Sequence, residues 1–248
     1  MPGLGDIDVQ SVVTIIVTFL IAITVHEFMH AWTAWMLGDD TARLLGRVSL
    51  NPAWMLGDDT ARLLGRVSLN PAVHFDPVGG LMFLLIALGF PALAWGRPVP
   101  VNDFRLRPLG RFGRHGSMAL VSLAGPLSNV VLGALAASLI RVADATNANF
   151  GAVGNFLWVF MNVNFLLAAF NMIPLPPLDG SRILMALLPP FWRPILAPLE
   201  RYGIMLLFLF IFLGGYLRGL LGGFESESVI TAIISPVYDL LLNVFAPR

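Results

Sequence analysis

The chain predicts an all-α polytopic membrane protein of about five to six transmembrane helices, with a re-entrant or short β element on the cytoplasmic side. Three observations predict it. Only 12% of the 248 residues are charged and 57% are hydrophobic, about half the charge of an ordinary soluble domain, for which roughly 25% is usual. Several apolar runs approach the ~20 residues that cross roughly 30 Å of hydrocarbon. No polar stretch of domain length separates those runs, so residues 1–248 read as a single domain embedded in the bilayer.

Charge and cysteine content narrow the function classes. The 15 basic residues, all arginine, are balanced by 15 acids, which leaves no basic excess for neutralising phosphates and excludes a nucleic-acid partner. Absence of cysteine rules out disulfides, thiolate nucleophiles and thiolate metal sites. Any metal must therefore rest on histidine and carboxylate. Residues 1–8 carry Asp6 and Asp8 and no basic residue, unlike the n-region of a removable signal peptide.

In chain order the apolar segments are 9–37, 78–95, 117–140, 152–173 and 204–221, followed by an amphipathic stretch, 229–245, expected to break at Pro236. Arginines set the orientation, because basic residues are retained in cytoplasmic loops. Arg43, Arg47, Arg62 and Arg66 follow the first segment, and Arg97, Arg105, Arg107, Arg111 and Arg114 follow the second. Arg182, Arg193 and Arg201 precede the fifth, and Arg248 ends the chain, whereas Arg141 and Arg218 fall at the opposite ends. The N-terminus is then outside. Basic loops on both sides of 78–95 conflict with a full crossing there, and Gly79, Gly80, Gly89, Pro91 and Gly96 interrupt the stretch. Residues 78–100 are expected to re-enter from the cytoplasm, a path that irregular backbone can take only against protein or a water-filled cavity.

Residues 35–53 and 54–72 are the same string, W-M-L-G-D-D-T-A-R-L-L-G-R-V-S-L-N-P-A, repeated without a mismatch. A solenoid needs more copies than two to bury a shared core. The repeat reads as a tandem duplication that lengthens one cytoplasmic loop.

Three ionisable residues interrupt the first apolar segment, His26, Glu27 and His30, in T-V-H-E-F-M-H-A-W. Such residues are costly inside a span and mark function. Four residues apart, the two histidines project from one helical face and can share a metal, while Glu27 can reach a water beside it. This is the H-E-x-x-H arrangement of zinc hydrolases, in which the glutamate is the general base. A catalytic zinc takes three protein ligands, so one more is required. His74 and His115 lie in or beside basic loops. Asp179 is the stronger candidate: Pro174, Pro176 and Pro177 stop the fourth segment just before it, near the depth of the histidines if both helices run inward. Capping of a helix over 181–188 is the competing role for Asp179.

H-E-F-M-H at 26–30, A-G-P-L-S-N at 124–129 and N-M-I-P-L-P-P-L-D-G at 171–180, in that order on separate apolar segments, resemble the site-2 protease family of intramembrane zinc metalloproteases. L-N-P-A-V-H-F-D-P-V-G-G at 69–80 and W-G-R-P-V-P-V-N at 95–102 resemble its small bacterial members, which lack PDZ and CBS domains. The resemblance implies one catalytic Zn2+ bound by His26, His30 and Asp179, water activation by Glu27, and support of substrate or oxyanion from Asn129 and Asn171. It implies a transmembrane protein substrate, a place in the bacterial inner membrane and an active site toward the cytoplasmic face. The family's G-D-x-T-A…G-R-x-x-L-N-P stretch normally occurs once, and removing either copy restores its spacing.

The implied reaction is hydrolysis of a peptide bond in or near a transmembrane segment. A substrate helix hides its carbonyls in its own hydrogen bonds and must unwind first. Pro98 and Pro100 bound a short stretch around Val99 and Val101 that can hold the unwound chain by β-addition. A membrane metal transporter or a non-catalytic zinc-binding protein is the alternative reading, although transporters carry paired broken helices rather than a duplicated loop.

Overall fold

The computed structural model describes residues 9–41, 76–87, 100–102, 104–146, 148, 150–192, 196, 199, 202–209 and 229–247. Six helices stand in them: α1 (Val9–Met36), α2 (Pro77–Ala87), α3 (Gly113–Ala145), α4 (Gly151–Asn171), α5 (Asp179–Leu187) and α6 (Val229–Phe245). Residues 202–209 are also helical. Helices α1, α3 and α4 are long and apolar enough to cross a membrane. Their outward faces are made for lipid: Val13, Val17 and Ile21 on α1 and Leu127, Val131, Leu135 and Leu139 on α3 are exposed at helical spacing, an apolar stripe that water would penalise.

Helix α3 is the centre of the bundle, packed on both α1 and α4. Small residues allow the approach. A Cβ on Gly133 would fall 2.6 Å from Phe165 Cδ1 of α4, and Ala136 and Ala137 pack with Met161 and Phe165 in one buried cluster, the close-packing device of helices that lack a hydrophobic drive between them. His26 meets Asn129 and His30 meets Val121, so α3 runs antiparallel to α1. The five residues between α3 and α4 return the chain alongside. Helices α1 and α4 thus run the same way and finish at the same end.

Short α2 starts from an N-cap, with the Gly79 N–H donating to Asp76 Oδ1 at 2.9 Å and Pro77 at the first helical position, where its missing N–H costs nothing. Its 11 residues extend about 16 Å, half of a hydrocarbon crossing. The chain before and after this region meets at one place. Leu37 O accepts from Arg107 N at 2.8 Å, buried Asp39 accepts from Asn102 N at 2.6 Å, and Arg105 pairs with Asp40 at 2.6 Å. The expected β element falls mostly on 88–99, outside the described residues. Among those described, the one bridge outside helices joins Leu109 and Gly113.

The C-terminus departs from expectation in two ways. Helix α6 continues through Pro236 because packing holds it on both sides of the proline. Ile234 joins Ala169, Ile173, Leu178 and Leu207, and the Tyr238 hydroxyl donates to Asn162 Oδ1 at 2.5 Å. The helix then ends beside Arg141, whose Nη2 donates to Ala246 O at 2.9 Å. The last described residues therefore lie beside Arg141, at the end opposite to the other described arginines, whereas Arg248, which the sequence groups with the basic loops, lies outside the described residues.

Candidate metal centre and active site

His26 and His30 stand one turn apart toward the C-terminal end of α1, both buried. Their Nε2 atoms are 3.0 Å apart, and Asp179 Oδ2 lies 3.2 Å from each. The three atoms form a nearly equilateral triangle. Zinc bonds of about 2.0–2.1 Å in tetrahedral geometry place adjacent ligand atoms roughly 3.3 Å apart, so the triangle has the size of one face of such a site.

Hydrogen bonds behind the rings fix which nitrogens face inward. His30 Nδ1 lies 2.7 Å from Val121 O, and a carbonyl only accepts, so Nδ1 carries the proton. Asn129 settles the same question for His26. Its Nδ2 donates to Ala22 O at 3.2 Å and to Asn164 Oδ1 at 2.9 Å, which leaves Oδ1 to accept from His26 Nδ1 at 2.6 Å. Asn164 in turn donates to Phe160 O at 2.8 Å. Both Nε2 lone pairs and a carboxylate oxygen consequently converge on one point, a set of acceptors that requires a cation between them. The donor set fits a divalent metal, and it is the one such group among the described residues.

Glycines make the convergence possible. A Cβ on Gly125 would fall 2.7 Å from His26 Nε2 and closer still to His30 Nε2, so the α3 face opposite the histidines must be bare. At Gly180 a Cβ would fall 2.6 Å from Ile173 O. The backbone after Asp179 therefore lies directly against the end of α4, and this contact carries the carboxylate back to α1. Leu178 occupies the N-cap of α5, with no side-chain cap bond, and Asp179 is the first helical residue. Its carboxylate faces the imidazoles and caps nothing.

A cavity of about 120 Å³ opens beside the triangle. Glu27, Ser122, Asn171 and Arg182 line it together with the three metal-type ligands, and Val101 forms part of its wall. Buried Glu27 is thus next to the centre without belonging to it. Asn171 donates to Leu167 O at 2.9 Å and borders the cavity, whereas Asn129 is wholly buried behind His26. His115 is exposed in the first turn of α3. His74 and Val99 lie outside the described residues. The sequence reading did not place Gly125, Ser122, Asn164 or Arg182 at the site. Gly125 and Asn129 share the A-G-P-L-S-N string, whose four-residue spacing aligns them on one face of α3.

Comparison with known proteins agrees with this geometry. The family model for peptidase family M50 matches residues 136–214, a span that includes Asp179. The "Putative zinc metalloprotease YwhC" of Bacillus subtilis (strain 168) is 34% identical over 237 residues, covering 92% of this chain and 94% of the relative. "Putative zinc metalloprotease Rip2" of Mycolicibacterium smegmatis is 31% identical over 195 residues, 78% of this chain and 64% of that protein. The protein of the same name from Mycobacterium tuberculosis (strain H37Rv) is 32% identical over 208 residues, 84% and 69% of the two chains. No solved structure gives a significant match. With its apolar spans, its converging His-His-Asp group and a relative that matches it nearly end to end, the chain belongs to peptidase family M50, the membrane zinc metalloproteases of the site-2 protease type.

Proposed function

We propose that this protease cleaves a peptide bond in or beside a transmembrane segment of another membrane protein, using His26, His30 and Asp179 as zinc ligands and Glu27 as general base. The observation that carries the reading is the 3.0–3.2 Å triangle of acceptor atoms beside a cavity that Glu27 lines. When bound, Zn2+ supplies Lewis-acid chemistry, polarising the scissile carbonyl and making water acidic enough to attack at neutral pH. Glu27 takes the proton of the attacking water and delivers it to the leaving amine. Asn129 holds His26 in the tautomer that presents Nε2, the service that partners behind metal-bound histidines commonly perform. Asn171, on the cavity wall, contributes polar support to the substrate.

Depth supports an intramembrane substrate. His26 lies sixteen residues beyond Gln10, about 24 Å along the helix, in the inner third of a bilayer entered near that residue. The cavity opens at the end of the bundle that holds Arg105, Arg107, Arg114 and Arg182, opposite Arg141. Basic residues are retained inside, so the N-terminus is outside, the site faces the cytoplasm and the membrane is the bacterial inner membrane. The joined ends of 42–99 support re-entry of 78–100 from that side.

Metal analysis and cleavage of a transmembrane substrate by purified protein test the assignment. Glu27→Gln should keep one zinc per chain and lose at least a hundredfold in cleavage rate, the scale of a general base. Asp179→Ala should lose the metal as well. A transporter or a non-catalytic zinc protein would be little changed by Glu27→Gln, and unchanged cleavage in that variant would remove the mechanism.

A further inference from the structure

Hydroxyls on these helices usually find a partner in their own backbone. Thr14 donates to Gln10 O, Ser128 to Gly125 O, Ser138 to Ala134 O and Thr146 to Val142 O. Three buried hydroxyls have no partner among the described residues: Thr18, Thr24 and Ser122. Of these, Ser122 alone lines the catalytic cavity. It is 1% exposed and stands one turn before Gly125, the residue against which both histidine Nε2 atoms pack. Its main-chain carbonyl also lacks the usual helical donor. The N–H that would return to Ser122 O belongs to residue 126, and Pro126 has none. One residue thus brings a hydroxyl and a main-chain carbonyl, neither served by the helix ladder or by back-bonding, to the edge of the site. Leaving a buried hydroxyl unpaired is costly, and a helix that keeps one beside a catalytic cavity, with the carbonyl of the same residue released from the ladder by Pro126, keeps it for a ligand.

We propose that Ser122 is a substrate-contacting residue of this protease, its hydroxyl donating to a main-chain carbonyl of the peptide in the cavity and its own carbonyl accepting a main-chain N–H. The inference rests on the protease reading above. A peptide unwound from a helix has lost the partners of its own carbonyls and N–H groups. A donor and an acceptor on one residue match an adjacent pair of them without regard to side chains. This suits an enzyme that must grip peptide in an apolar setting, where unpaired backbone is most expensive.

The test compares two hydroxamates binding to the zinc-loaded wild type and to Ser122→Ala in detergent. Acetohydroxamic acid reports the metal alone, and a fluorescent peptidyl hydroxamate reports the metal plus the peptide backbone. Ser122→Ala should bind the peptidyl compound about three- to tenfold more weakly, the worth of one net hydrogen bond, with acetohydroxamic acid unchanged. Cleavage should fall by a similar factor in kcat/KM. Zinc content should stay at the wild-type level, and the melting temperature should hold or rise, because alanine removes an unpaired buried hydroxyl. Ser122→Thr, which retains the hydroxyl, should recover most of the affinity. Equal peptidyl hydroxamate affinity in wild type and Ser122→Ala would overturn the proposal, as would loss of zinc from Ser122→Ala, which would make Ser122 a support of the metal. Failure of the protease reading has a different signature: wild type and Glu27→Gln alike would fail to cleave, and the zinc-loaded wild type would bind the peptidyl compound no more tightly than acetohydroxamic acid.

Discussion

His26 depends on residues far from it in sequence. Its Nδ1 proton is committed to Asn129 Oδ1 only because the Asn129 amide nitrogen is spent on Ala22 O and Asn164 Oδ1. Remove the Asn129 amide and the ring loses both its orientation and its tautomer preference, while the buried Ala22 carbonyl and Asn164 amide lose a partner. Partners of this kind are worth roughly 10–100-fold in metal affinity. Asn129→Ala should therefore weaken zinc binding by about that factor, as read by competition with a calibrated chelator, and should leave Glu27 chemically competent in chains that retain the ion. Unchanged affinity would mean that the ring is held by packing alone. His30 needs no such device, since it borrows a backbone carbonyl, Val121 O, that no substitution of a side chain removes.

Among the elements, the least expected in shape is the region between α1 and α3. Its flanks are tied by the Leu37–Arg107, Asp39–Asn102 and Asp40–Arg105 contacts, and this closeness of residues 37–40 to 102–107 is what supports the proposed re-entry of 78–100. Cysteines introduced singly at Ser49 and Phe104 of this cysteine-free chain should react with an impermeant maleimide from the same side of sealed vesicles. Opposite-side labelling would refute re-entry. The three long spans were legible as hydropathy, with 9–37 and 152–173 each within two residues of α1 and α4. Helix α3 begins four residues before its apolar segment, because Gly113–Gly116 belongs to the polar interface where a hydropathy window loses the helix. H-E-x-x-H singled out His26 and His30 as candidate ligands through helical spacing alone. Asp179 could be placed only by resemblance and depth, since its alternative as a cap was chemically sound. What brings its carboxylate beside the histidines is Gly180 packing against Ile173 O, a contact between segments that no local pattern carries. Pro236 misled for a related reason: its cost is local, and the packing of Ile234 and Tyr238 that offsets it is tertiary.

At the scale of the whole molecule the duplicated string poses a definite question. The first copy begins inside α1, and its Asp39 forms the contact that holds residue 102 near the cavity. Among the described residues, the side chains at the candidate metal centre come from 22–30, 121–129 and 164–180. Because the two copies are identical, deleting 35–53 or 54–72 yields one and the same sequence, in which α1 still runs into a G-D-D-T segment able to make the Asp39 contact. The closure cost of a flexible loop changes by only about 0.6 kcal/mol for each doubling of length, and removing 19 residues from this connection is less than a halving. The shortened protein should therefore bind one zinc per chain with wild-type affinity and should cleave a transmembrane substrate at least as fast, since the wall that carries Val101 is reached by a shorter chain. Zinc titration and cleavage rates of the single deletion variant measure both. Loss of metal on deletion would show that the second copy is a structural part of the bundle and not an extension of its loop.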